Sequence, residues 1–261
     1  MTAAIDPVVA ALRPIGLDEL VERAGLLTRL DRKYMLPVAD LPFVLGGLDD
    51  DVRVLEMGVG QREFGYRSVY FDTPAMDGYL AAARRRRRRF KLRIRSYLDS
   101  GQHFFEIKTR GPRGTTVKQR IPYEGDFRRL GGEARAYADT VLAEAGINSG
   151  GFRFVPTLTT FYRRTTLFFP DTGSRLTVDT GLTWTLPDGT ALRTDDRAIV
   201  ETKSGRAGSG ADRLLWSLGH RPCPVSKYGT GLAALRPELP ANRWLPVLRR
   251  HFPTALHGSL A

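Results

Sequence analysis

Between residues 89 and 123 charged and apolar side chains alternate through three successive segments, RFKLRIRSYL (89–98), HFFEIKTR (103–110) and TTVKQRIPY (115–123). Residues two apart lie on the same face of a strand. The first segment therefore sets Arg89, Lys91, Arg93, Arg95 and Tyr97 against Phe90, Leu92, Ile94 and Ser96. The second sets Phe104, Glu106, Lys108 and Arg110 against Phe105, Ile107 and Thr109, and the third sets Thr116, Lys118 and Arg120 against Val117, Gln119 and Ile121. The joining sequences DSGQ and GPRG are turn sequences, so the stretch predicts three antiparallel strands with one cationic face. An open sheet would turn that face to water and its apolar face to helices. A closed sheet would place the cations around a lumen. Alternation by itself leaves both open, but single carboxylates (Glu106, Asp179, Glu201) among cations are the pattern of a site rather than of a solvated face.

The rest of the chain supplies further strands and the helices to cover them. Apolar spacing predicts a helix over 17–28, a strand over 29–36 and a helical stretch from Pro37 to about Leu48. Strand-like sequence runs over 52–71, with a glycine turn at 58–60, and one or two helical turns follow over 75–83. A helix is expected over 130–146, then strands over 153–169, 174–185, 190–194 and 196–204. SGADRLLWSLG and SKYGTGLAALRPEL read as helical, and the tail after His251 as loose. In the later strands Tyr162 and Arg164 share a face. So do Arg175, Thr177 and Asp179, and so do Arg197, Ile199, Glu201 and Lys203. Trp184, Trp216 and Trp244 read as packing residues, and Gly229 and Gly231 as turn glycines.

Composition removes several classes. At 261 residues with 42% apolar content the chain can bury a core, and one cysteine, Cys223, forms no internal disulfide and anchors no cysteine-rich zinc site. No apolar run approaches the ~20 residues of a spanning helix. An outer-membrane barrel would lack these helical insertions and would carry a signal peptide, and the N-terminus has no basic segment ahead of its apolar stretch. The expectation is a cytoplasmic protein that does not itself enter the membrane. There is no Walker A run, so a P-loop NTPase is excluded.

The net charge of +12 implies a polyanionic partner. Of 40 cations only six are lysines: Lys33, Lys91, Lys108, Lys118, Lys203 and Lys227. A chain that writes its ordinary surface cations as arginine keeps lysine where a flexible point charge is wanted. Nucleic acid is disfavoured as the partner, because the cations lie on strand faces without a row of stacking aromatics. The Arg84–Arg89 run reads as a solvated loop ahead of a strand, or else as an electrostatic funnel.

Nine segments in order resemble the VTC domain, the polyphosphate-polymerase family within the triphosphate tunnel (CYTH-like) superfamily. They are LDRKY (30–34), VYFDT (69–73), FKLRIRSY (90–97), FEIKTR (105–110), VKQRIPY (117–123), YRRTTLF (162–168), RLTVD (175–179), VETKS (200–204) and SKYGTG (226–231). The resemblance covers about 25–238 of a single domain over 1–261, with a helical tail at 239–261. It implies an α+β fold: a closed antiparallel β-barrel, or tunnel, with a basic lumen and flanking helices.

By the same resemblance the catalytic cations are Arg93, Arg95, Lys108, Arg164, Lys203 and Lys227. Lys33, Lys118, Arg120 and Arg175 bind phosphate, and Lys91, beside another motif position, is placed with them. Glu201 is the metal ligand for Mn²⁺ or Mg²⁺, with Glu106 and Asp179 as weaker candidates. Where the superfamily's first strand carries E-x-E-x-K, this chain reads Arg29, Asp31, Lys33, which fits the VTC branch better than the hydrolytic one. The implied activity moves the terminal phosphoryl of ATP onto a growing polyphosphate chain. The alternatives are a tunnel triphosphatase acting on inorganic triphosphate or nucleoside triphosphates, and a polyphosphate-binding module without turnover. The reading leaves room for a membrane partner that exports the product.

Overall fold

A computed structural model describes residues 6–24, 30–111, 114–205 and 207–252. In chain order it contains α1 (Asp6–Ala11), β1 (Arg13–Ile15), α2 (Leu17–Ala24), β2 (Leu30–Pro37), a 3-10 turn (Val38–Asp40), α3 (Leu41–Gly46) and β3 (Arg53–Leu55). Then come β4 (Phe64–Asp72), α4 (Asp77–Ala83), β5 (Phe90–Tyr97), β6 (Gln102–Arg110), β7 (Thr116–Pro122) and α5 (Gly132–Glu144). The last elements are β8 (Val155–Phe169), β9 (Ser174–Thr185), β10 (Ala191–Thr194), β11 (Arg197–Ser204), α6 (Gly210–Ser217), α7 (Lys227–Leu235) and α8 (Leu245–His251). The expected strands are present, with ends shifted by one or two residues. The expected helix over 17–28 is seen to Ala24; its remainder, Arg29 and the tail from 253 lie outside the described residues. Helix α8 falls within the expected helical tail, whereas α1 and the short β1 carry no signal that the periodicity singles out.

The class is α+β, with eleven strands in one sheet: eight follow the order β2-β11-β9-β8-β4-β5-β6-β7, and off this path β10 pairs β9, β3 pairs β8 and β1 pairs β3. The pairs β2–β11, β9–β11, β3–β8, β4–β5, β5–β6 and β6–β7 are antiparallel, and β1 with β3 is parallel. Among the described residues no ladder joins β2 to β7, so hydrogen bonding does not close the sheet into the expected barrel. Alternation fixes which side chains share a face, whereas closure also needs two edges of matching register. Here the outer edge of β2 is partly used: the backbone N–H of Cys223 donates to the Lys33 carbonyl at 2.8 Å. The other edge strand, β7, is largely exposed.

The chain folds as two compact units, one of Met1–Gly65, Tyr162–Leu182 and Arg193–Val225, the other of Tyr66–Phe161, Thr183–Leu192 and Ser226–Ala261. In the first, the apolar faces of β2, β9 and β11 (Tyr34 and Leu36; Leu176 and Val178; Ala198 and Val200) pack with α3 (Leu41, Val44) and α6 (Ala211, Leu215). Asp212, fully buried, ties these layers together. It accepts from the hydroxyls of Tyr34 (2.7 Å) and Thr202 (2.6 Å) and from the backbone of Ser209 (2.7 Å), closing a capping box on α6.

In the second unit Phe90, Leu92 and Ile94 of β5 and Phe105 and Ile107 of β6 are buried with Ala134, Ala138, Val141 and Leu142 of α5. The apolar alternation therefore points to the helix side, and the charged residues occupy the opposite face.

Gly229 and Gly231 lie inside α7, not in a turn, and serve close packing. A Cβ on Gly229 would sit 2.1 Å from Trp244 Cζ2, and one on Gly231 2.1 Å from Trp184 Cδ1. Both rings are almost fully buried, which agrees with the expectation that they are core residues. Gly231→Ala is expected to destabilise the fold by about 1–3 kcal/mol, because a well-packed core resists added volume. A denaturant titration with an unchanged midpoint would show that the Trp184 ring can move.

Candidate functional site

In the second unit the register stacks the charged face of β5, β6 and β7 into cross-strand rows. Lys91 lies opposite Lys108, and Lys108 opposite Lys118, so half of the chain's lysines form one row. The next row runs from Tyr70 of β4 through Arg93 and Glu106 to Arg120. Beyond it Arg95 pairs with Ser68 on one side and Phe104 on the other.

Glu106 is the hub. Its carboxylate accepts from Arg93 Nε at 2.7 Å and Nη2 at 2.5 Å, pairs with Lys118 and lies 4.0 Å from Arg95 Nε. Burial alone would raise the Glu106 pKa, but the charges of Arg93, Arg95 and Lys118 outweigh it and hold the group well below the usual carboxylate range. The Lys118 ammonium is lowered by its own desolvation, against the pull of Glu106. Arg93 also donates to the Tyr70 hydroxyl at 3.2 Å, and Arg120 stacks over Phe104 at 4.4 Å. These contacts hold the planar guanidinium groups in fixed orientations. These three rows thus carry six cations (Lys91, Arg93, Arg95, Lys108, Lys118, Arg120) against one carboxylate.

Beside these rows, on the same side of the sheet as Tyr70, lies a buried polar support that sequence reasoning missed. Asp72, at the end of β4, accepts from the backbone of Thr73, Gly78 and Tyr79 (2.8 Å each) and from the Tyr228 hydroxyl at 2.6 Å. Burial raises the Asp72 pKa while these donors oppose it, and burial with the adjacent carboxylate pushes the Tyr228 phenol well up. The phenol therefore keeps its proton and donates. Tyr228 stacks on Tyr70 at 4.9 Å, and Lys91 lies over its ring at 5.6 Å. Lys91 Nζ donates to Ser226 Oγ at 3.0 Å, and that oxygen also accepts from Gly229 N at the start of α7. Lys91 and Lys227 are thereby fixed near one helix end. VYFDT and SKYGTG contain the two residues, but a motif does not reveal that its Asp and Tyr touch.

The first unit carries a different balance. Glu201 lies opposite Lys33 and Thr177, and Lys203 opposite Asp31 and Arg175. Lys203 Nζ bridges Glu201 (2.6 Å) and Asp31 (3.2 Å), while Lys33 Nζ lies 3.4 Å from Glu201. Burial pushes the Glu201 pKa up, but Lys33, Lys203 and Arg164 prevail and hold it well below the usual range. Asp179, fully buried, takes a two-pronged contact from Arg164 Nε (2.6 Å) and Nη2 (2.8 Å). Four cations here face three carboxylates, so this face is close to neutral. Glu106 and Asp179, weaker metal candidates on sequence, are ion-pair partners of arginine.

No group of three metal-ligating side chains occurs among the described residues. The donors present fit a hard divalent ion that takes most of its ligands from phosphate and water. Such an ion needs only one or two protein carboxylates, and Glu201 and Asp31, which share Lys203 Nζ, are carboxylates of that chemistry.

The sequence matches the VTC domain model over residues 28–236. No curated protein sequence matches it. Among solved structures, a protein from Hippeastrum described as a candidate adenylyl cyclase with a dominant triphosphatase activity is 18% identical, with a TM-score of 0.45, over 83% of this chain and 100% of the other. A conserved hypothetical protein from Pyrococcus furiosus is 16% identical, with a TM-score of 0.39, over 74% and 88%. With four-fifths of its length inside one family model, and with the nine segments that resemble that family in order, the chain belongs to the VTC domain family.

Proposed function

We propose that this protein transfers the terminal phosphoryl group of ATP to the end of an inorganic polyphosphate chain. A terminal phosphate oxygen of the chain attacks the γ-phosphorus, the bond from the γ-phosphorus to the β,γ-bridging oxygen breaks, ADP leaves and the chain grows by one unit. The observation that carries the reading is the excess of cations on the face of β5, β6 and β7. Phosphoryl transfer asks a protein for in-line positioning and charge neutralisation more than for covalent chemistry. Arg93 and Arg95 point the same way, roughly 6.5–7 Å apart along the strand, so that their charges, with Arg93 held by its fork on Glu106, can act on neighbouring phosphates. The lysine row of Lys91, Lys108 and Lys118 supplies point charges, with Lys227 at the start of α7. Taken by itself, the first unit offers its own phosphate contacts in Lys33, Arg164, Arg175 and Lys203, and Glu201 with Asp31 would hold a metal ion there. A bound divalent ion would neutralise phosphate charge and orient the reacting groups.

The test is a time course of ATP loss, free phosphate and chain length with Mn²⁺ or Mg²⁺. Wild-type protein is expected to make acid-labile chains. Arg93→Lys, which keeps the charge but loses the fork, is expected to slow this by at least about tenfold, or ~1.4 kcal/mol of transition-state stabilisation. Stoichiometric free phosphate without chains would replace the polymerase with a triphosphatase. Binding without ATP loss would make the protein a polyanion-binding module.

A further inference from the structure

Beyond the lysine row the charged face of the second unit continues. Phe90 lies opposite Thr109, so Arg89 and Arg110 come next on the face that carries Lys91 and Lys108. Arg243 reaches the same place, donating to the Ala82 carbonyl at 3.4 Å, and Arg89 donates to the Arg86 carbonyl at 2.9 Å. Burial first, and then the charges of Arg110 and Arg243, lower Arg89; burial first, and then the charges of Arg85 and Arg110, lower Arg243. Among the described residues none of these four arginines has a carboxylate partner. Four like charges are gathered where they repel.

A second observation is independent of charge. α4 ends in a Schellman motif, with Arg86 N donating to Ala81 O (2.8 Å) and Arg85 N to Ala82 O (3.2 Å). The residue at its left-handed position is Arg85, with φ 53°. Glycine takes that conformation without strain and arginine does not. Backbone strain of this kind persists where the side chain has a use.

We propose that Arg85, Arg89, Arg110 and Arg243 form an accessory anion site that binds phosphates of a long polyphosphate chain beyond those a triphosphate can occupy. This rests on the phosphate-chain reading above. The Arg89–Arg110 row lies four residues along β5 from the Arg93 row, about 13 Å away, farther than the three linked phosphates of ATP extend. Polyphosphate suits the cluster better than nucleic acid, because the cluster continues the phosphate-binding rows and offers no aromatic for base stacking.

The experiment measures the affinity of wild type, Arg85→Gly and the double variant Arg85→Gly/Arg243→Gln for tripolyphosphate, for polyphosphate of tens of units, and for single-stranded DNA. Arg85→Gly is expected to raise Tm by about 2–4 °C while weakening long-chain binding. The double variant should weaken long-chain binding at least fivefold and leave tripolyphosphate within twofold. It should also lower the slope of log affinity against log salt by about 0.7–0.9 for each phosphate no longer neutralised. Equal weakening for both phosphate ligands, no weakening for either, or a larger effect on DNA would overturn the proposal. A wild type that binds neither phosphate ligand would instead overturn the phosphate-chain reading on which it rests.

Discussion

Glu106→Gln is expected to cost the folded protein about 3–5 kcal/mol, the loss typical when one partner of a buried ion pair is removed. The carboxylate is 1% exposed and Arg93 and Arg95 are 7% and 9% exposed, so the variant leaves two buried guanidinium groups and Lys118 without their common counter-ion. Denaturant unfolding reads the loss directly. A phosphate anion can take the place of the missing charge, so tripolyphosphate should raise Tm more in Glu106→Gln than in wild type. At about a hundred times its dissociation constant a ligand adds roughly 2.7 kcal/mol, and the variant should exceed that because its affinity rises. An equal Tm shift in both proteins would show that the anion does not reach these cations.

The same carboxylate sets a pH dependence. Its pKa is lowered on folding, so its stabilising contribution is full above the ordinary glutamate value of 4.5 and is lost as pH falls towards the lower folded value. Unfolding free energy measured from pH 6 downwards should fall less steeply in Glu106→Gln than in wild type.

Glu201→Gln is expected to reduce metal-dependent turnover by at least about a hundredfold, or ~2.7 kcal/mol in the barrier, while polyanion binding persists or tightens. The reason is local. Lys33 and Lys203 remain, relieved of the carboxylate that they share. Titrating Mn²⁺ in the presence of tripolyphosphate, read by the paramagnetic signal of the free ion, should show weaker metal uptake by the variant even without turnover. Unchanged metal uptake and unchanged turnover would remove Glu201 from the metal site.

Much of this is legible in the residues. The strands carrying Arg93, Arg95, Glu106, Lys108 and Lys118 are legible because a period of two needs no tertiary information, and Phe90, Leu92, Ile94, Phe105 and Ile107 are buried as their alternation requires. The family is legible because its motifs follow one another in order. The roles of Gly229 and Gly231 are not, since a G-x-G spacing looks the same in a turn and in a helix pressed against two indole rings.

The sequence by itself determined the class of the fold, the two faces of each strand and the sign of the chain's own net charge. These follow from local periodicity and composition. The tertiary structure decided which charges neutralise one another. By alternation alone Glu106, Asp179 and Glu201 are equivalent acids among cations, and only the family resemblance singles out Glu201. In the fold Glu106 is gripped by Arg93 and Lys118, Asp179 by Arg164, and Glu201 is shared by two lysines. The β5–β6–β7 face is left strongly positive and the Glu201 face nearly neutral. Pairing depends on cross-strand register and on residues distant along the chain, 156 positions apart in the case of Asp72 and Tyr228. Coulomb energies at contact distance are set by that placement and not by order along the chain. The same holds for the edges of the sheet, where alternation says nothing about which strand ends meet.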